Sequence, residues 1–158
     1  MFLRYYVELD LPTDQVRSAL LNAPAAWLPA MADSAAERTE PLLAEVGLGR
    51  RAPFLTGHVT VQLGRPVQFP SKLSLPMTWE PCGRLLPRLD GDLELGSLGS
   101  HRTQLAISGR YDPPLGTVGR TIDRIALHRI AEATVKDFLD RLAAALQASS
   151  PSPNGHTP

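Results

Sequence analysis

Cysteine is almost absent: Cys82 stands alone in 158 residues. A single cysteine excludes an intramolecular disulfide and leaves too few thiolates for a cysteine-based zinc site. It lies between Glu80-Pro81 and Gly83 with no basic neighbour, so nothing adjacent activates it as a nucleophile. Net charge is absent too, sixteen basic residues balancing sixteen acidic ones, and no field draws a nucleic-acid backbone or an anionic membrane. Lysine is confined to Lys72 and Lys136; the other basic residues are arginines. No run approaches the ~18 consecutive apolar residues of a membrane span. The start, Met1-Phe2-Leu3-Arg4-Tyr5, lacks the regions of a signal peptide, which leads to the expectation of a cytoplasmic protein without integral membrane association. The histidines, His58, His101, His128 and His156, have no i, i+4 pair and no HExxH pattern. No metal and no cofactor are expected.

What is present describes an ordinary globular chain, 43% hydrophobic and 20% charged. Its length suits one domain able to bury roughly 70% of the surface its unfolded form exposes. That domain is expected over 1–147, with the serine- and proline-rich 148–158 as a disordered tail.

Near the start, Tyr5, Val7, Leu9 and Leu11 alternate with Arg4, Tyr6, Glu8 and Asp10, the period of a half-buried strand. Pro12-Thr13-Asp14 ends it and offers Thr13 as a helix N-cap, with Val16, Ala19 and Leu20 at helical spacing. Asn22-Ala23-Pro24 breaks that helix, and a second short one carries Trp27, Leu28 and Met31.

The period then becomes two. Leu42, Ala44, Val46 and Leu48 form one strand face, and Leu55, Gly57, Val59, Val61 and Leu63 the next. Leu73, Leu75, Met77 and Trp79 alternate again, but Pro70 and Pro76 predict an irregular or edge strand. Leu89, Gly91, Leu93 and Leu95 oppose Asp90, Asp92 and Glu94, and Thr103, Leu105, Ile107, Gly109 and Tyr111 complete the sheet. The acidic stripe reads as a solvated outer face, which Arg102 and Arg110 can reach across strands. After Pro113-Pro114-Leu115-Gly116 a helical pattern runs over about 117–147, about 45 Å at 1.5 Å per residue. Val118, Ile122, Ile125 and Ala126 mark one side of its first half. Leu127, Ala131, Val135, Phe138, Leu142 and Leu146 mark nearly the opposite side of the second, so the helix bends or packs on two partners. Gly116-Thr117-Val118-Gly119 reads as a weak strand-to-helix junction, since it is neither a P-loop nor a GxGxxG turn.

The order strand, two short helices, several antiparallel strands and one long C-terminal helix resembles the helix-grip fold of the SRPBCC, or START-like, superfamily. That group includes Bet v 1-like proteins and polyketide cyclase/dehydratase-like proteins. The local likeness lies in Gly109-Arg110-Tyr111-Asp112-Pro113-Pro114-Leu115-Gly116, then Gly119, Asp123 and Ala131-Glu132-Ala133-Thr134-Val135. The resemblance implies an α+β fold, a curved antiparallel sheet closed by the long helix. It also implies a hydrophobic cavity between them for lipids, isoprenoids or polyketide-like molecules. It implies no activity, because the fold hosts enzymes, carriers and sensors.

The residue pattern places Val59, Val61, Leu75, Met77, Trp79, Leu93, Leu105, Ile107 and Tyr111 on the inward sheet face, with Ile122 and Ile125 covering them from the helix. Most inward residues are ordinarily core, but in a cavity fold some become ligand wall. His128 falls between the two helix arcs and reads as a surface or capping residue. The leading expectation is a non-catalytic binding protein for a small hydrophobic molecule, with the Tyr111 hydroxyl fixing orientation. A cyclase or dehydratase would need a titratable group inside, and a docking module would have its sheet–helix space filled by side chains.

Overall fold

The computed structural model describes residues 1–22, 59–81, 88–112 and 124–148. The expected second short helix, the strand around Leu42 to Leu48, the Gly116–Gly119 junction, Ile122, Cys82 and most of the tail lie outside these residues.

The elements are β1 (Phe2–Leu9), α1 (Thr13–Asn22), β2 (Val59–Leu63), β3 (Val67–Gln68), β4 (Lys72–Pro81), β5 (Arg88–Ser97), β6 (Thr103–Asp112) and α2 (Arg124–Ala148). The strands form one antiparallel sheet in the order β1-β6-β5-β4-β2, with β3 also on β4. The first strand therefore pairs with the last, Phe2 opposite Arg110 through Leu9 opposite Thr103. Odd-numbered positions of β1, β5 and β6 face the core and even-numbered ones mostly face out, as alternation requires. This is a helix-grip α+β fold.

Pro76 corrects the edge-strand expectation, because β4 is an interior strand between β5 and β2. Its carbonyl accepts the Gly64 N–H at 2.7 Å, so the missing Pro76 N–H also points toward the β2–β3 side. There the neighbouring strand is interrupted over 64–66, and the ladder loses nothing at the proline. Gly64 suits this close approach: a Cβ there would lie 2.9 Å from the Pro76 Cβ.

Two glycines face each other on the inner side of the sheet, Gly91 on β5 and Gly109 on β6. A Cβ on Gly91 would sit 2.4 Å from the Ser108 carbonyl oxygen, and one on Gly109 would sit 2.7 Å from that of Asp90. The strands approach here more closely than any side chain allows. In the β5–β6 turn, Gly99 has φ +132°, a conformation in which a side chain is strained.

Helix α2 buries the expected stripe, Ala131, Val135, Phe138, Leu142 and Leu146, together with Leu139 and Ala143. It packs on β1 and β6, and Phe138 meets the Trp79 ring of β4 at 5.5 Å with a 57° tilt. Helix α1 adds Val16 and Leu20 to the same core. Its start differs from the capping expectation. The Thr13 hydroxyl lies 3.0 Å from that of the fully buried Thr103, which itself donates to the Leu11 carbonyl at 2.7 Å. Thr103 has one proton and has used it, so Thr13 is the donor and ties α1 to β6.

The acidic stripe is less open than expected. Glu94, with only 14% of its side chain exposed, pairs with Lys72 and with Arg4. Asp92 accepts from Ser74 at 2.8 Å and Asp90 from Arg88 at 3.2 Å. Arg102 pairs with Glu8 and Asp10 of the β1 end, not with the β5 acids, because it lies just before Thr103 where β6 meets Leu9. Arg110 does sit opposite Asp90 in register.

Candidate functional site

At the helix-start end of the grip the inner face does not close completely. Leu3, Tyr111, Leu89 and Trp79, one from each of β1, β6, β5 and β4, form the floor of an apolar crevice. Ala131, Thr134 and Val135 of α2 form its roof, and its volume is about 10 Å³. That is room for about one water molecule. The floor follows from register, since Trp79 faces Leu89 and Leu89 faces Tyr111 across the strands. The bare Gly91–Gly109 pair lies next along β5 and β6.

Tyr111, 1% exposed, carries the polar end of this site. Its hydroxyl oxygen is 2.7 Å from His128 Nδ1, and the two rings stack at 5.7 Å. His128 Nε2 is in turn 3.0 Å from Glu132 Oε1, one helical turn further along α2. The protons can be assigned. A nitrogen facing a carboxylate must carry hydrogen, so in a neutral imidazole Nδ1 is the acceptor and Tyr111 donates to it. The Met1 sulfur lies 2.8 Å from the same hydroxyl, but one hydrogen serves one acceptor and the thioether is the weaker. Burial, and then the Glu132 charge, raise the Tyr111 phenol above its ordinary 10.0, so the group holds its proton. The arrangement runs from an apolar crevice through a buried phenol to a half-exposed imidazole and an exposed carboxylate.

Of the residues expected to line a cavity, Trp79 and Tyr111 border the crevice. Leu75, Met77, Leu93, Leu105 and Ile107 are also buried on the inner face, within the close-packed core. Val61 is half-buried against that core, and Val59 pairs with Pro81 in β2. Ile125 is a correction. It is 62% exposed because it shares a helix face with the exposed Arg129, Glu132 and Lys136, at i+4, i+7 and i+11, and not with the buried stripe. His128 is a partial one, for it keeps 34% of its side chain exposed yet reaches the buried tyrosine. Leu3, Leu89, Ala131, Thr134 and Val135 were not anticipated. Alternation flagged Leu89, and helical spacing flagged Ala131 and Val135, as core.

Leu3 and Glu132 also border a groove of about 370 Å³ between β1 and α2, whose rim carries Arg4, Arg129 and Lys136. Among the described residues no cluster of three His, Cys, Asp or Glu could hold a metal ion. No helix among them is long and apolar enough to cross a membrane.

No known family profile matches the sequence, and no curated protein matches it. Solved structures do. A conserved protein from Geobacillus kaustophilus is 15% identical, with 94% of this chain and 97% of that one covered and a TM-score of 0.53. An aromatase/cyclase from a Streptomyces species is 12% identical over 98% of both chains, with a TM-score of 0.49. A START superfamily protein from Mycobacterium smegmatis is 12% identical over 91% of this chain and 98% of that one, at 0.42. At these identities the likeness is one of fold alone, and the Geobacillus protein shares it over nearly the whole length of both chains.

Proposed function

We propose that the chain binds a small hydrophobic molecule between the sheet and α2, in the space that the crevice opens into. The observation that carries this reading is the crevice itself, which among the described residues is walled by Leu3, Trp79, Leu89, Ala131 and Val135, with Tyr111 and Thr134 as the residues that bring a hydroxyl. An apolar body and one oriented polar group are what such a site recognises. The resemblance to START-like proteins, in which this space holds lipids, isoprenoids or polyketide-like molecules, supports it.

A space of about 10 Å³ cannot take such a ligand without rearrangement. Binding therefore parts α2 from β1 and β4 around Ala131 and Trp79, and the ligand surface replaces side-chain contacts at about 25 cal/mol per Å² of apolar area. Native mass spectrometry of freshly purified protein tests the reading. A co-purified mass of a lipid-like molecule is expected. A bare chain that also takes up no added fatty acid, isoprenoid quinone or aromatic polyketide would sink it.

The close packing elsewhere favours a second reading. Phe138, Leu139 and Leu142 are fully buried against the sheet, while Phe2 (66% exposed) and Tyr6 (55%) lie on the outer side of β1. A docking module would use that outer surface and never open the crevice. Binding of a partner protein that is lost in Phe2→Ser/Tyr6→Ser, with no ligand uptake by the wild type, would establish it.

A further inference from the structure

We infer that the ligand of this site carries an acidic hydroxyl, a phenol or an enol, on an apolar body, and that His128 selects it by fixing which way the Tyr111 hydroxyl points. The inference rests on the ligand-binding reading and adds the chemical class. Glu132 holds the Nε2 proton, Nδ1 therefore takes the Tyr111 proton, and the phenol oxygen, on a residue that lines the crevice, is left with lone pairs only. A ligand hydroxyl can donate to it; an ether or ketone oxygen meets lone pairs with lone pairs. The raised affinity of Tyr111 for its own proton keeps the oxygen protonated toward His128 instead of leaving a phenolate in the apolar site. The Met1 thioether beside this oxygen is a weak and flexible neighbour, 51% exposed, which a ligand hydroxyl can displace.

The chain of donors runs outward: ligand O–H to Tyr111 Oη, Tyr111 O–H to His128 Nδ1, His128 Nε2–H to Glu132. His128 is a positioning residue here, since it acts on the ligand only through Tyr111. With Nδ1 removed, the Tyr111 proton is no longer held on the helix side, its hydroxyl can donate to an ether as well as to a phenol, and the preference is lost. A histidine that merely packs against the sheet has no such effect.

The test compares two probes with the same octyl chain, 4-octylphenol, which can donate, and its methyl ether 4-octylanisole, which only accepts, by calorimetric titration of the full chain. Wild-type protein should bind the phenol about three- to tenfold more tightly, the range of one hydrogen bond of ordinary strength. Tyr111→Phe should bring the two to equal affinity. His128→Leu, at a half-exposed position, should abolish the preference while retaining the wild-type circular-dichroism spectrum. Equal affinities in the wild type, or a phenol preference that survives His128→Leu, would overturn the selection and leave the binding site standing. Failure of both probes to bind the wild type would overturn the inference together with the binding reading.

Discussion

Tyr111 is where sequence, packing and chemistry meet. Alternation along β6 marks it as inward, and its burial was readable from that pattern. Its partner was not. His128 lies seventeen residues later on another element, and only the placement of the α2 start beside the β6 end brings the rings together. Ile125 shows the same limit from the other side. Its apolar character pointed inward, but helix rotation is fixed by Val135, Phe138 and Leu142, and that rotation leaves Ile125 outside. Two residue-scale outcomes follow. Because the folded Tyr111 holds its proton above the ordinary 10.0, its contribution to stability is intact below pH 10 and lost as pH rises through the raised folded value. Urea midpoints from pH 9 to 12 should fall more steeply in the wild type than in Tyr111→Phe; parallel curves would deny the burial of the phenol. Phe138→Ala should cost ~3–5 kcal/mol, as a fully buried aromatic does, and a loss under ~1 kcal/mol in denaturant titration would misplace the helix.

At the scale of elements, the sheet was the legible part. A period of two with one apolar face specifies strands and register parity together, so the inner faces of β4, β5 and β6 follow from the sequence alone. Pairing order does not, because alternation has no information about neighbours. Pro76 looked like an edge marker and is instead accommodated by a break in the adjoining strand. The Gly91–Gly109 contact was likewise invisible, as each glycine reads singly as a weak strand position. It gives a sharp prediction. Gly91→Ala puts a methyl group 2.4 Å from a backbone oxygen, where no flexible side chain can yield, so the cost should exceed the ~1–3 kcal/mol of ordinary overpacking. A melting temperature unchanged by Gly91→Ala would mean that the two strands do not approach as described. The expected weak first part of the long helix lies largely outside the described residues, and α2 from Arg124 onward is continuous.

For the molecule as a whole, the fold supplies a sheet, a helix laid across it and, among the described residues, an apolar crevice where the contact between them is incomplete. The apolar crevice and the Tyr111–His128–Glu132 chain meet at that place, and it is there that we propose a ligand binds. Filling it should block uptake without unfolding the chain: Ala131→Leu adds volume to the roof at about 1–3 kcal/mol of overpacking, and should weaken ligand binding at least tenfold.

The most direct test reads Trp79 from inside the crevice wall. In a Trp27→Phe background Trp79 is the only indole, and its emission, excited at a wavelength tyrosine does not absorb, reports on the floor beside Leu89 and Phe138. Titration with 4-octylphenol should shift and saturate that emission. The same titration of Trp79→Phe, which keeps Trp27, should lose most of the signal. A Trp79 emission that stays flat while 4-octylphenol demonstrably binds would place the ligand elsewhere on the protein and contradict the account.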